Sequence, residues 1–231
     1  MKLNVSHRTS YRYASAVSFS QHVLRLEPRP SERQAILNYN LTVEPKPTRL
    51  ANQSDFYGNR VNLMTMSEPH DTLEVHASSE VDTQAAAVTP DDPSVAWEQV
   101  AQACQTIETE AALEASRFCF ASRRTRANDD IAAYARETFL PGRQILDAAV
   151  ALSRRIHEDF VYAPGSTTAS TPVDQSFANR KGVCQDFAHV MLACLRALRL
   201  PGRYVSGYLL TLPPDGKLRL VGADASHAWV S

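Results

Sequence analysis

Cys184 stands in the run Arg180-Lys181-Gly182-Val183-Cys184-Gln185-Asp186-Phe187-Ala188-His189. After it, Ala188, Met191, Leu192, Leu195 and Leu198 recur at helical spacing, and Phe187, Val190 and Cys194 widen that apolar face. This predicts a central, mostly buried helix from Cys184 to about Arg199, because Pro201 cannot continue it. A cysteine at a helix N-terminus meets free backbone N–H groups and the positive end of the helix dipole, which favour thiolate over thiol. The same N–H groups can hold an oxyanion once sulfur has attacked a carbonyl. The alternative is a structural cysteine, buried as a small hydrophobe.

A thiolate of this kind calls for a base. Arg203 to Leu210 reads as a strand, Pro213-Pro214-Asp215-Gly216 as a turn, and Ala223 to Val230 as a second strand. In the second strand Ala225, His227 and Trp229 share one side, so His227 faces inward between small residues that leave room for a neighbour. A cysteine on a helix N-terminus and a histidine on an adjacent strand can form a thiolate–imidazolium pair. His189 falls on a polar stripe with Gln185 and Arg196, turned from the Cys184 face, and reads as a solvated or structural residue. Cys184 and Cys194 are ten helical positions apart, ~15 Å, which excludes a disulfide between them. No cysteine pair has metal-ligand spacing, so neither a metal nor a cofactor is expected.

Other elements must carry this pair. The 231 residues are 44% apolar and 21% charged, with 8 Gly, 13 Pro and 4 Cys, which excludes a disordered, collagen-like or disulfide-scaffold chain. Leu3, Val5, His7, Thr9, Tyr11 and Tyr13 alternate with polar residues, as do Leu37 to Val43 and Leu73 to Val81, and prolines and glycines punctuate the intervals. Such alternation predicts an antiparallel β-sandwich over residues 1–82. Residues 83–93, polar and alanine-rich with two prolines, read as a linker. Beyond it Ser94 is expected to cap a helix reaching Leu113, and Asn128 to cap one containing Ile131, Tyr134 and Phe139. A third helix, Gln144 to Phe160, aligns Ile145, Leu146, Ala149, Leu152, Ile156 and Phe160. The fold class is α+β, with an all-β region followed by a mixed core over 94–231.

A formal net charge of −1, from 24 basic and 25 acidic residues, gives no global field toward nucleic acid or anionic lipid. The run Arg123, Arg124, Arg126 reads as a solvated loop. No segment approaches the roughly 20 apolar residues of a membrane span. With few cysteines and no apolar N-terminal core, a cytoplasmic location is expected.

The Cys184 and His227 runs, with Arg203-Tyr204-Val205-Ser206-Gly207-Tyr208 between them, resemble the bacterial transglutaminase-like superfamily. Tyr11-Arg12-Tyr13 and Leu24-Arg25-Leu26-Glu27-Pro28-Arg29 resemble the β-rich N-terminal region of many bacterial members. The resemblance implies a papain-like core with Cys184 as nucleophile and His227 as general base. It further implies thioester acyl transfer on a protein or peptide amide, as hydrolysis or as transamidation. Tyr162, upstream of the cysteine, would be an oxyanion donor or a structural aromatic, and Trp229 a shield over the pair or a core residue. The family's catalytic Asp has no counterpart in the residues after His227. It is expected beyond Ser231, in a core that is C-terminally incomplete, because neither Asp224 nor Asp186 is oriented to replace it. Asp186 is read instead as a cap or buttress of its own helix. Two other classes stay open: a protein-binding module with a vestigial Cys–His site, and a redox-responsive thiol protein. Homo-oligomerisation is left open as well.

Overall fold

The alternating residues of the first third form β1 (Lys2–Val17), β2 (Ser20–Leu24), β3 (Gln34–Glu44), β4 (Arg49–Ser54), β5 (Arg60–Met66) and β6 (His70–Thr83). The computed structural model describes residues 1–85, 94–210 and 226–231. It divides the chain into two units, Met1–Thr89 and Pro90–Ser231. In the first unit β6 lies between β1 and β3, and β5 lies between β2 and β4, all antiparallel. The alternation fixes the register: Leu3, Thr9 and Tyr11 face Val81, Val75 and Leu73 across the β1–β6 pair. On β6 every second residue from Leu73 to Val81 is buried, as befits a central strand. Met64 and Met66 of β5 share a hydrophobic cluster with Leu73 and Val75 of β6, so one core draws on both sheets. Most of the expected linker, residues 86–93, lies outside the described residues.

The second unit contains α1 (Trp97–Thr106), α2 (Glu110–Ser116), α3 (Asp129–Thr138), α4 (Ile145–Asp159), β7 (Val161–Tyr162), α5 (Val173–Asn179), β8 (Lys181–Gly182), α6 (Cys184–Ala197), β9 (Tyr204–Gly207) and β10 (His227–Val230). Asn128 caps α3 as expected, its Oδ1 accepting from the Ile131 N–H at 3.0 Å. Ser94 does not cap α1. Its hydroxyl accepts instead from the Leu146 N–H in the first turn of α4. The single expected helix over 94–113 is broken at Ile107, which takes a left-handed conformation (φ 52°) and leaves Thr109 to cap α2. The buried stripe of α4 runs through Ala148, Leu152 and Ile156, while Leu146 is exposed, a shift of the expected face. Arg123, Arg124 and Arg126 are exposed, as a solvated loop requires.

Helix α6 is the centre of this unit. Val190, Ala193 and Cys194 are fully buried against Ile131 and Ala135 of α3, Leu152 of α4 and Phe177 of α5. Arg155 of α4 ties α3 down: its guanidinium lies 3.7 Å from the Tyr134 ring centroid, donates to the Tyr134 carbonyl at 3.0 Å and meets Glu137 at 2.5 Å. Leu152 has no exposed surface and a close-packed surround. Leu152→Ala should therefore destabilise the protein by about 2–5 kcal/mol through the cavity it leaves, read as a lower urea midpoint.

Candidate active site

The approach to Cys184 is built by short-range contacts. Arg180 ends α5 in a left-handed conformation, φ 51°. Its guanidinium lies 4.0 Å from the Phe177 ring centroid and 4.8 Å from those of Tyr134 and Phe160. The chain then enters β8, which pairs in parallel with β7: the Val161 N–H donates to the Arg180 carbonyl and the Ala163 N–H to that of Gly182, each at 2.8 Å. Val183 is extended, and Cys184 opens α6.

Asp186 locks this turn. Its carboxylate, only 2% exposed, accepts from the Val183 N–H at 2.8 Å, the Thr167 hydroxyl at 2.6 Å and the Ser176 hydroxyl at 3.2 Å. It thus joins the 163–171 loop, α5 and the start of α6, in the role of cap and buttress. The carboxylate folds back so closely that a Cβ on residue 182 would lie 2.6 Å from its Oδ2, so only glycine fits there. The backbone ladder of α6 begins with the Asp186 and Phe187 N–H groups bonding to the Val183 carbonyl. The N–H groups of Cys184 and Gln185 precede it, free of intrahelical partners as the first N–H groups of a helix are. The Cys184 thiol itself is free and half-buried.

The other expected site residues lie as follows. Tyr162 is beside the turn that leads into Cys184: its backbone pairs with Gly182, and its ring meets the edge of Phe187 at 6.5 Å while remaining 59% exposed. His227 is half-buried at the start of β10, opposite Gly207 of β9. Trp229 shares the His227 face, and its indole lies over Gly207, where a Cβ would be 2.7 Å from Cη2. Val230, on the opposite face, joins the core cluster near Leu192 and Leu195. Val230 is the β10 residue that meets the core, and His227, three residues earlier, lies on the opposite face of the strand. Among the described residues, His227 and Cys184 share no hydrogen bond. Asp224 lies outside the described residues, as does the Pro213–Gly216 turn.

The structure joins two residues that the sequence reading kept apart. Tyr204 pairs with Val230 and turns its ring onto His189, with centroids 5.3 Å apart and planes 30° from parallel. Burial, then the nearby Cys184 and Asp186, push the Tyr204 phenol up from its ordinary value. His189 is covered rather than solvated: burial lowers its pKa, opposed by the adjacent Asp186 carboxylate. The rest of its polar stripe is covered too, since Arg196 donates to the Phe118 and Gly202 carbonyls. Strand alternation made the Tyr204 face legible, but its meeting with His189 depends on β9–β10 packing against α6.

Residues 3–82 match the bacterial transglutaminase-like N-terminal region, and residues 132–231 match the transglutaminase-like superfamily. The chain belongs to the transglutaminase-like superfamily. Uncharacterised proteins of Mycobacterium tuberculosis and Mycobacterium bovis are 40% identical to it over 233 aligned residues, covering 100% of this chain and 73% of theirs. A protein-glutamine gamma-glutamyltransferase of Pseudomonas aeruginosa is 41% identical over 90 residues, 38% of this chain and 13% of that protein. The fold is shared with a crystal structure of a candidate cysteine protease from Cytophaga hutchinsonii. The TM-score is 0.73 at 24% identity, covering 100% of this chain and 72% of that one. No helix among the described residues is long and apolar enough to cross a membrane.

Two stability experiments check the geometry of this transglutaminase-like turn. Asp186→Ala strands two hydroxyls and a backbone N–H and should cost about 2–4 kcal/mol. Asp186→Asn should cost less than half of that, because the amide oxygen keeps Val183 and Thr167 while its NH2 donates to Ser176. Urea midpoints of the two variants test the order. The second experiment concerns His189, whose lowered folded-state pKa means that the unfolded chain binds the proton more tightly. This contribution to stability is complete above the unfolded value of about 6.5 and is lost as pH falls below it. His189→Phe, which keeps an aromatic ring against Tyr204, should flatten the fall in urea midpoint between about pH 6.5 and 5.

Proposed function

We propose that this chain is a thiol-dependent acyl-transfer enzyme acting on amide bonds through a Cys184 thioester. The observation that carries the reading is the Cys184 thiol itself: free, half-buried, and first in a helix whose leading N–H groups lie outside the backbone ladder. His227 takes the thiol proton, and Sγ attacks the amide carbon. The carbonyl π pair moves to oxygen, where the Cys184 N–H stabilises it. Collapse re-forms the carbonyl and breaks the C–N bond, and His227 returns its proton to the departing amine or ammonia. Water then resolves the thioester as a peptidase or amidase would, whereas an amine resolves it as a transglutaminase would.

The openness around Tyr162, which is 59% exposed, supports access of water and favours hydrolysis. Tyr162 and Trp229 serve in this reading as walls of the substrate pocket. The Pseudomonas aeruginosa relative, a protein-glutamine gamma-glutamyltransferase, supports a glutamine carboxamide as the acyl donor. The four cysteines are all free thiols, in keeping with a reducing, cytoplasmic setting. One observation favours a different reading, a binding module with a vestigial site: the thiol and the His227 imidazole share no hydrogen bond among the described residues.

Alkylation separates the two. Iodoacetamide at pH 6.5, followed by peptide mapping, should label Cys184 far faster than Cys194, whose thiol burial pushes up to about 12, or Cys119, which burial and neighbouring Cys104 push the same way. His227→Ala should reduce Cys184 labelling by at least about tenfold, because a thiol without its base reacts only through its small thiolate fraction. Equal rates with and without His227 would support the binding module.

A further inference from the structure

The run from Arg117 to Arg126, between α2 and α3, carries four arginines with no lysine and no carboxylate. A chain of net charge −1 thus concentrates positive charge in one short segment. Arg196 of α6 anchors that segment. Its guanidinium donates through Nε to the Phe118 carbonyl at 3.2 Å and through one terminal nitrogen to the Thr125 hydroxyl. The other terminal nitrogen donates to the Gly202 carbonyl at 3.2 Å, and the Gly202 N–H donates in turn to the Phe118 carbonyl. One side chain therefore pins both ends of the 118–125 loop, as in a compact Ω-loop. Thr125 is only 3% exposed and also accepts from the Ser122 N–H, which tightens the loop from inside. Between the pins every residue from Phe120 to Arg124 is exposed, and Phe120 is 73% exposed. Arg203, also exposed, extends the charge: its guanidinium lies 4.7 Å from the Phe118 ring centroid.

We infer that this anchored loop is an interaction surface for a short acidic segment of a partner polypeptide. Arg123, Arg124, Arg126 and Arg203 meet its carboxylates, and Phe120 packs on an apolar side chain among them. The surface goes beyond the acyl-transfer reading and needs nothing from Cys184 or His227. Arg123, Arg124 and Arg126 enter no ion pair among the described residues, so their charge is left for a partner. Planar guanidinium forks match carboxylates two hydrogen bonds at a time. Arginine and aromatic residues without lysine are also the composition that marks protein–protein interfaces. The rim argues against a broader polyanion, because Glu114 before the run and Asp129 and Asp130 after it are exposed. A bilayer leaflet or a long nucleic-acid strand would bring its phosphates within the ~8 Å reach of those carboxylates in physiological salt. A short acidic segment fits inside the rim. Because Arg196 already fixes the backbone that carries the cations, binding pays little to order it.

The test is the fluorescence anisotropy of labelled octaglutamate titrated with the full chain. Binding should weaken as salt rises, and the double variant Arg123→Glu, Arg124→Glu should weaken it at least about tenfold. Phe120→Ser should weaken binding of a labelled peptide that alternates Glu and Leu more than it weakens binding of octaglutamate. The control is Arg33→Glu, Arg49→Glu in the first unit, which changes net charge equally and should leave binding within about twofold. All four substituted arginines are exposed, and unchanged urea midpoints establish that both double variants are folded. Equal losses in the two double variants would overturn the surface, since net charge alone would then explain the binding. Absence of octaglutamate binding at low salt would overturn it as well. Binding that depends on Arg123 and Arg124 but is tighter to phosphatidylserine–phosphatidylcholine vesicles, or to oligothymidylate, than to octaglutamate would overturn the choice of partner. The acyl-transfer reading stands or falls separately, on the alkylation of Cys184.

Discussion

The buried carboxylate of Asp186 is the contact on which the candidate site depends. A carboxylate removed from water must find donors or change its charge state, and here three donors from three segments converge on it: the Val183 N–H, the Thr167 hydroxyl and the Ser176 hydroxyl. Because those donors belong to the start of α6, the 163–171 loop and α5, satisfying one charge fixes the relative position of all three. Cys184, the proposed nucleophile, is two residues away on the same turn. Its placement therefore follows from the electrostatics of its neighbour rather than from any contact of the sulfur. Gly182 is the steric counterpart, since the returning carboxylate occupies the space a side chain would need.

Arg180 extends this logic backward along the chain. Its guanidinium is surrounded by Tyr134, Phe160 and Phe177, which come from α3, the end of α4 and α5. Arginine suits such a cage because its planar, weakly hydrated cation stacks on ring faces. The cage anchors the left-handed residue that turns the chain from α5 into β8. From Arg180 to Asp186 each residue is thus positioned either by an aromatic face or by a hydrogen bond. Such dense local determination suits the role proposed for Cys184, whose geometry would have to be held within about 0.5 Å.

What could be read from the residues alone divides along the same line. Period-2 alternation from Leu3 to Tyr13 and from Leu73 to Val81, Asn128 as a cap and the long apolar face after Cys184 were all legible, because each is local in sequence. Ser94 was misassigned because its hydroxyl can serve any nearby helix start, and the choice of Leu146 over the α1 terminus is tertiary. The shift of the α4 face past Leu146 has the same origin: the helix was correct, but its partner chose the stripe. Tyr204 and His189 were legible as residue types and as faces. Their stacking was not, because it depends on where β9 lies along α6, which no spacing encodes. Asp186 was read as a cap from its position two residues after the cysteine, yet its bonds to Thr167 and Ser176 span 19 and 10 residues and could not be foreseen.

The His227 side of the candidate site is held on different terms. His227 owes its position to the register of a short strand pair, and a slip of one residue would turn its side chain to the opposite face. Four residues of pairing are a weak specification by backbone hydrogen bonds alone, so side chains must pin the register. Trp229 over Gly207 does this on one face, since a Cβ at residue 207, diagonally across the pair, would collide with the indole. Val230, near Leu192 and Leu195, does it on the other, tying the strand to the helix that carries Cys184. The same register brings Tyr204 opposite Val230 and so onto His189. One pairing thus sets the places of His227 and Tyr204 together, so any change that moves the histidine along its strand moves the phenol with it.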